Sequence, residues 1–350
     1  MKKIIFTLLI ISSFIFIRCY QDDEINEDFN LEIEVLPSTF ESSLNKNVRL
    51  MALTKAGKDV TSEVVFYVNN IEQTSHTITS STVKTVTIQA KYKEKLSSPI
   101  EVKFSNFVAG YVKNALVEDY TGTWCGNCPR VTYGLEQIKT LYTNKIVEVA
   151  IHRGTPQQNE PFLFDASALE QSLSISGYPS ARINRNIVWS APQQNNLPQV
   201  VKESMGNVIK MGLAIENTVV NGTVNLKLKI GYFENYSNLK VVLYVLENGL
   251  IYDQVNYTPF YGGVDPIPNF VHNHTLRRSI TNIFGDAIPN LSTPTGVESF
   301  YFKDFSFAVP SNVTNVSKLE FVAFVIDASG RAINSRKCLA NETPQAMEML

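Results

Sequence analysis

Cysteine, histidine and tryptophan are all scarce in this chain, with four, four and two residues among 350. The shortage excludes several chemistries at once. A structural zinc site wants four ligands, and the single C-x-x-C pair has only Cys338 and scattered histidines to complete it. Charge of one sign is also lacking: the net value of −2 provides no basic surplus for nucleic acid. After the first twenty residues no apolar run is long enough to cross a bilayer as a helix. What is present is 44% hydrophobic and 18% charged, the makeup of folded cores rather than of disorder. At about 150 residues per domain, two or three domains are expected.

The N-terminus departs from this average. Lys2 and Lys3 precede an uncharged run, IIFTLLIISSFIFI, from Ile4 to Ile17. A short positive segment before an h-region that is too short to span comfortably reads as a secretory signal, residues 1–18. Cys19 stands where a bacterial lipoprotein signal carries its lipidated cysteine, although Arg18 departs from the small residue usual there. The stretch QDDEINED, within residues 19–30, is an acidic tether. It resembles the acidic export signals of some Gram-negative surface lipoproteins. A lipid-anchored envelope protein works in oxidising surroundings, where a disulfide is chemically permitted.

Three further blocks follow. Residues 31–105 hold short Val-, Ile- and Thr-rich runs such as SEVVFYVNN and TVKTVTIQAKY, separated by turn residues. They predict a small immunoglobulin-like β-sandwich, which usually acts as a spacer. Residues 106–208 alternate strand and helix. NALVEDY is a strand candidate, and the helix candidate after it places Val131, Leu135, Ile138 and Leu141 on one stripe. IVEVAIH, DASALEQSL, SARINRN and LPQVVKESMGNVI continue the order, which indicates an α/β layer fold. Residues 209–350 return to strands, with VNLKLKI alternating at every residue, and predict a second β-sandwich.

The chemistry concentrates in DYTGTWCGNCPR, Asp119 to Arg130. A C-x-x-C pair between a strand and a helix N-terminus has a physical rationale. Unpaired backbone N–H groups and the helix dipole stabilise a thiolate and lower its pKa. The two-residue spacer lets the second sulfur resolve a mixed disulfide. On this reading Cys125 attacks, Cys128 resolves, Trp124 covers one side, and Pro129 suits a first helical turn. The residues alone leave two other readings open: an inert short-loop disulfide, and half of a metal site.

Over about Gly110 to Val208 the sequence resembles the thioredoxin superfamily, through ALVEDYTGTWCGNCP and ISGYPSARINR. The resemblance implies a buried acid at Asp119 that helps deprotonate the resolving cysteine. It makes Pro179 a cis-proline beside the dithiol, and it puts Gly177 and Tyr178 on a loop that pairs with substrate backbone. Asn127 stands where thioredoxins have proline, a position that tunes redox potential, so the direction of exchange stays open. The family's leading β-α unit is missing or replaced. Together with the signal and NFVHNHTLRR, these stretches are similar to the twenty-eight-kilodalton outer-membrane-protein family of envelope lipoproteins. That resemblance implies an outer-membrane location more than an activity.

Other candidates are weaker. His272 and His274 would share a face of a strand, but with no carboxylate or cysteine near them in sequence a structural loop is expected rather than a metal pair. His152 at a strand end is expected to pack. Cys338 is expected to be a buried or idle thiol, and YTPFYGG (Tyr257 to Gly263) is either a binding loop or a connector. Two functions compete. The first is thiol–disulfide exchange on exported proteins or small thiols. The second is a surface binding or adhesion lipoprotein in which the dithiol is a brace. Neither calls for a cofactor or metal, and the membrane is a partner only through the anchor.

Overall fold

The computed structural model describes residues 32–37, 40–55, 57–106, 108–142, 145–205 and 208–350. The expected signal, the lipidation-type Cys19 and the acidic tether lie outside the described residues. No helix among the described residues is long and apolar enough to cross a membrane.

The first block is built from strands. In chain order they are β1 (Ile33–Leu36), β2 (Phe40–Ser43), β3 (Val48–Arg49), β4 (Met51–Thr54) and β5 (Val64–Val68). Then come β6 (Ile71–Gln73), β7 (Thr77–Ile78), β8 (Lys84–Tyr92), β9 (Lys95–Leu96) and β10 (Ile100–Ser105). The larger sheet runs β2-β10-β8-β5-β6 with β9 on β8, and β1–β4 and β3–β7 form two small sheets. Period-two patterning sets which face is buried: Val86, Ile88, Ala90 and Tyr92 of β8 point inward. With Leu50, Val60, Phe66 and Phe104 they make a separate core. Each such fully buried side chain contributes about 1.5–3 kcal/mol relative to exposure.

The middle block contains β11 (Ala115–Thr121), α1 (Pro129–Leu141), β12 (Ile146–His152), α2 (Ser167–Ser172), β13 (Ser180–Ile183), β14 (Ile187–Val188) and α3 (Leu197–Ser204). β11 pairs in parallel with β12 and antiparallel with β13. Val131, Leu135 and Ile138 of α1 pack with Trp189, Val200 and Val201, and also with Met51 and Leu53 of β4. Leu141, expected on the same stripe, is half exposed because the helix ends there.

The remaining strands are β15 (Met211–Val220), β16 (Thr223–Tyr232), β17 (Lys240–Glu247), β18 (Leu250–Gln254) and β19 (Ile267–His272). They continue with β20 (Thr275–Ser279), β21 (Asp286–Ala287), β22 (Ser299–Ala308), β23 (Leu319–Ile326) and β24 (Ala332–Leu339). One nine-stranded sheet runs β14-β13-β11-β12-β20-β17-β23-β24, with β21 on β17. It continues across residue 208, where the change in sequence pattern suggested a boundary. The join is β12 to β20, parallel, with Ala150 opposite Thr275 and the Ala150 amide donating to His274 O at 2.8 Å.

The reason lies in β17 and β23, KVVLYVLE and LEFVAFVI, which are apolar on both faces and therefore central. Val241, Leu243, Phe321 and Val325 face the sheet β15-β16-β22, which covers them. Val242, Tyr244, Val322 and Phe324 face a second core with Tyr120, Val149 and Leu169. The molecule is mostly β, in several sheets, with few helices.

Candidate active site

β11 carries the chain out of the sheet centre at Thr121, and the turn Gly122–Cys128 feeds directly into α1. The turn is closed by its own backbone: Cys125 N donates to Gly122 O at 3.0 Å, and Cys128 N to Cys125 O at 3.1 Å. Pro129 occupies the first helical position, where no N–H is needed. Cys125 and Cys128 form a disulfide with Cα atoms 5.4 Å apart. Both are buried, at 4% and 1% exposure.

The fold brings the other expected residues to the same end of β11. The register places Ser180 opposite Tyr120, so Pro179 sits beside the start of the turn, and the Tyr178–Pro179 peptide is cis. The Trp124 ring meets Tyr178 edge to face at 5.7 Å, and its Nε1 donates to Arg153 O at 2.7 Å. Tyr178 is fixed in turn by donating its hydroxyl to Glu170 Oε1 at 2.5 Å. Gly177 is exposed, with open space where a side chain would be.

Asp119 lies behind the disulfide. It is 4% exposed, and its Oδ1 has no hydrogen-bond partner. With Cys128, Thr121, Glu148, His152 and His272 it lines a cavity of about 90 Å³. Burial pushes its carboxyl up to about 8; Glu148 adds to the rise and Arg130 opposes it. A carboxyl that is largely protonated at neutral pH and able to ionise just above it therefore stands in the cavity that Cys128 also borders.

Several residues that sequence reasoning left at the margin belong to this site. His152 does pack, but it also pairs with Glu160, Nδ1 to Oε1 at 3.0 Å. Glu160 Oε2 accepts from the Thr123 amide at 2.6 Å and from its hydroxyl at 2.9 Å, tying the strand β12 to the turn. Burial works against the charge on Glu160, but His152 and the amides of Thr123 and Phe162 lower its carboxyl. His272 meets His152 edge to face at 5.2 Å. Burial, reinforced by His152, lowers it to about 4, so it is neutral.

His274 does not continue the strand: its φ is +55°, and it lies in the turn before β20. Its Nε2 is 3.3 Å from Glu148 and its Nδ1 is 2.6 Å from Glu320. These carboxylates are remote in sequence, which is why the pair looked isolated. Among the described residues no cluster of three or more His, Cys, Asp or Glu could hold a metal ion. Cys338 is buried, accepts from Asn217 Nδ2 at 3.3 Å, and is pushed up to about 12 by burial.

The segment after β18, whose sequence suggested either a binding loop or a connector, crosses the disulfide turn. Val255 N donates to Thr123 O at 2.9 Å, and Tyr257 N to Gly126 O at 2.7 Å. The buried Gln254 amide sits within hydrogen-bond distance of Gly122 O and Cys125 O, at 3.2 and 3.1 Å. Gln254 shows no local signal in the sequence, because it faces the site only through the folding of β18 against the motif.

Among solved structures, HBP35 of Porphyromonas gingivalis is similar to this chain at 19% identity and a TM-score of 0.48, covering 69% of this chain and 79% of that one. Protein AGR_C_4864 from Agrobacterium tumefaciens is similar at 12% identity and a TM-score of 0.37, covering 67% and 97%. No curated protein matches. The family model of outer membrane protein Omp28 matches residues 166–343, a range that includes the cis-proline loop, Gln254 and His272 but begins after the disulfide. The match spans just over half of the chain: it belongs to the Omp28 outer membrane protein family and is a protein of the bacterial envelope.

Proposed function

We propose that this protein is an outer-membrane lipoprotein, anchored through Cys19, whose thioredoxin-like unit performs thiol–disulfide exchange on exported proteins or small thiols at Cys125 and Cys128. The observation that carries the reading is the buried Asp119 carboxyl, its Oδ1 without a hydrogen-bond partner, in the cavity bordered by Cys128. The strand order β14-β13-β11-β12, with a helix between the parallel pair, supports the thioredoxin-like reading. β20, supplied from the C-terminal block, takes the place beside β12 that a leading β-α unit would fill. The strands of residues 31–105 are read as an immunoglobulin-like spacer between the anchor and the exchange unit.

In the dithiol form the Cys125 thiolate, favoured by the N-terminus of α1, attacks one sulfur of a substrate disulfide. A mixed disulfide forms, and the other substrate sulfur leaves as a thiolate that takes a proton from solvent. In the fraction of molecules whose Asp119, titrating at about 8, is ionised, Cys128 then gives its proton to that carboxylate and attacks Cys125 Sγ. The Cys125–Cys128 bond forms, the second substrate sulfur leaves as a thiolate, and the substrate disulfide is reduced by two electrons. The reverse sequence oxidises a substrate dithiol. Trp124, Pro179, Tyr178 and Gly177 are assigned to holding the substrate chain beside the sulfurs.

The test is insulin-reduction turnover by the reduced protein, with a Cys125→Ser control, alongside a pH titration of the thiols. Turnover that depends on Cys125 and a Cys125 thiol well below ~8.5 are expected. An ordinary thiol pKa with no Cys125-dependent turnover refutes the reading. The second reading, a binding or adhesion lipoprotein with the disulfide as a brace, is favoured by the low exposure of both sulfurs. It expects ligand capture that survives loss of both cysteines.

A further inference from the structure

Residues Gln254–Tyr261 leave the β18–β19 hairpin and cross the Cys125–Cys128 turn. The hairpin's strands pair only with each other, outside the nine-stranded sheet. A two-stranded hairpin is marginal without support from neighbours, and here the support comes from rings: Phe162 meets Tyr252 at 6.2 Å and His272 at 5.2 Å, and His152 meets His272 at 5.2 Å. Its ends carry residues with positive φ, Gly249 at +74° and His274 at +55°. The segment itself is internally braced. Asn256 Nδ2 donates to Phe260 O at 3.0 Å and Val264 O at 3.2 Å, and Asn256 Oδ1 accepts from the Thr258 hydroxyl at 2.6 Å. Its hold on the rest of the molecule is through the motif and α1. The Thr123 and Gly126 carbonyls are taken by its amides, and Gln254 reaches the Cys125 carbonyl. Phe260 stacks on Tyr133 at 4.1 Å, and Tyr261 donates to Glu136 at 3.1 Å. The fit over the turn is close: a Cβ on Gly126 would lie 2.3 Å from the Tyr257 ring. The carbonyls of Gly122, Thr123, Cys125 and Gly126 on the turn are therefore occupied, and Cys125 is 4% exposed beneath.

We infer that Gln254–Tyr261 is a strap that closes the disulfide to protein thiols and has to lift before exchange. The inference rests on the exchange reading for its biological meaning and concerns access to the sulfur, so the two can fail separately. Lids that open to admit substrate are drawn from the segments of a fold that open locally at least cost.

The experiment follows reduction of the oxidised full chain by a protein dithiol, reduced thioredoxin, and by dithiothreitol, with alkylation and mass measurement. In either case a reductant thiolate attacks Cys125 Sγ, the Sγ–Sγ bond breaks, and Cys128 leaves as a thiolate. The second reductant thiolate then displaces Cys125 and closes the reductant's own disulfide. Tyr257→Gly and Gln254→Ala should each speed reduction by thioredoxin by about tenfold, since each removes contacts present only in the closed form. Reduction by dithiothreitol should change less. Equal thioredoxin rates, within twofold, in variants that keep their circular dichroism and unfolding midpoint overturn the strap. Should either variant fold poorly, hydrogen exchange on the unaltered chain decides. The Val255 and Tyr257 amides should exchange together and at least ~100-fold faster than those of β17. Protection equal to that of β17 overturns the inference. Loss of insulin turnover with the rate gap intact removes the exchange activity and leaves the strap. Intact turnover with equal rates does the reverse.

Discussion

Replacing Asp119 by asparagine should change how the stability of this protein depends on pH. An unfolded aspartate loses its proton near 3.8, whereas burial, reinforced by Glu148, keeps the folded carboxyl protonated up to about 8. Between those values the folded state binds the extra proton, so raising the pH favours unfolding. The stabilisation linked to this proton is complete below pH 3.8 and is lost as pH rises towards 8. A separation of about 4 units at 1.36 kcal/mol each amounts to about 5 kcal/mol over the whole range, and about 4 kcal/mol of it falls between pH 5 and pH 8. Asp119 is almost fully buried, so solvent screening does not reduce the figure. Asparagine has no proton to lose. Urea unfolding of the oxidised protein and of Asp119→Asn at pH 5 and 8 should therefore show the natural chain losing about 4 kcal/mol relative to the variant. A carbon-13 titration of the Asp119 carboxyl measures the same shift directly. A midpoint near 4, or a stability difference constant with pH to within about 1 kcal/mol, refutes the reasoning. In the reduced protein, as pH rises towards 8 and Asp119 ionises, the same substitution removes the acceptor for the Cys128 proton, and the resolving step should slow without loss of the initial attack by Cys125.

Other expectations concern the frame that holds the site. Trp189 is 1% exposed, packs under α1 and α3, and donates Nε1 to Asn196 O at 2.9 Å. Trp189→Ala should cost about 3–5 kcal/mol in denaturant unfolding, and a loss under 1 kcal/mol would mean that this core does not support the motif helix. At Gly231 a Cβ would stand 2.2 Å from the Tyr111 hydroxyl oxygen. Gly231→Ala should therefore cost about 1–3 kcal/mol. Adding Tyr111→Phe should recover part of that in a double-mutant cycle, with a coupling above about 0.5 kcal/mol. Strictly additive effects would show that the contact is relieved elsewhere.

The strand-rich blocks were readable from the sequence because β-branched residues alternating with polar ones leave a local imprint, as in β8 and β16. The helix after Cys128 was readable from the spacing of Val131, Leu135 and Ile138, and the cis-proline turn from YPS. The continuation of one sheet past residue 208 was harder to see. Its only local trace is that VVLYVL and FVAFVI are apolar at consecutive positions, a pattern that marks strands covered on both faces and names no neighbours. The carboxylates around His274, Glu148 and Glu320, lie 126 and 46 residues away, and no spacing rule joins them.

Taken alone, the sequence determined the composition of each block, the spacing that lets Cys125 and Cys128 bond, and the resemblance that points to the envelope. These depend on residues within one or two turns of each other, where periodicity and capping act. Only the tertiary structure decided that Asp119 shares a cavity with Cys128, and that Gln254 and Tyr257 lie across the turn. Burial and contact of this kind come from chain segments more than a hundred residues apart, brought together by the shared nine-stranded sheet and the hairpin beside it.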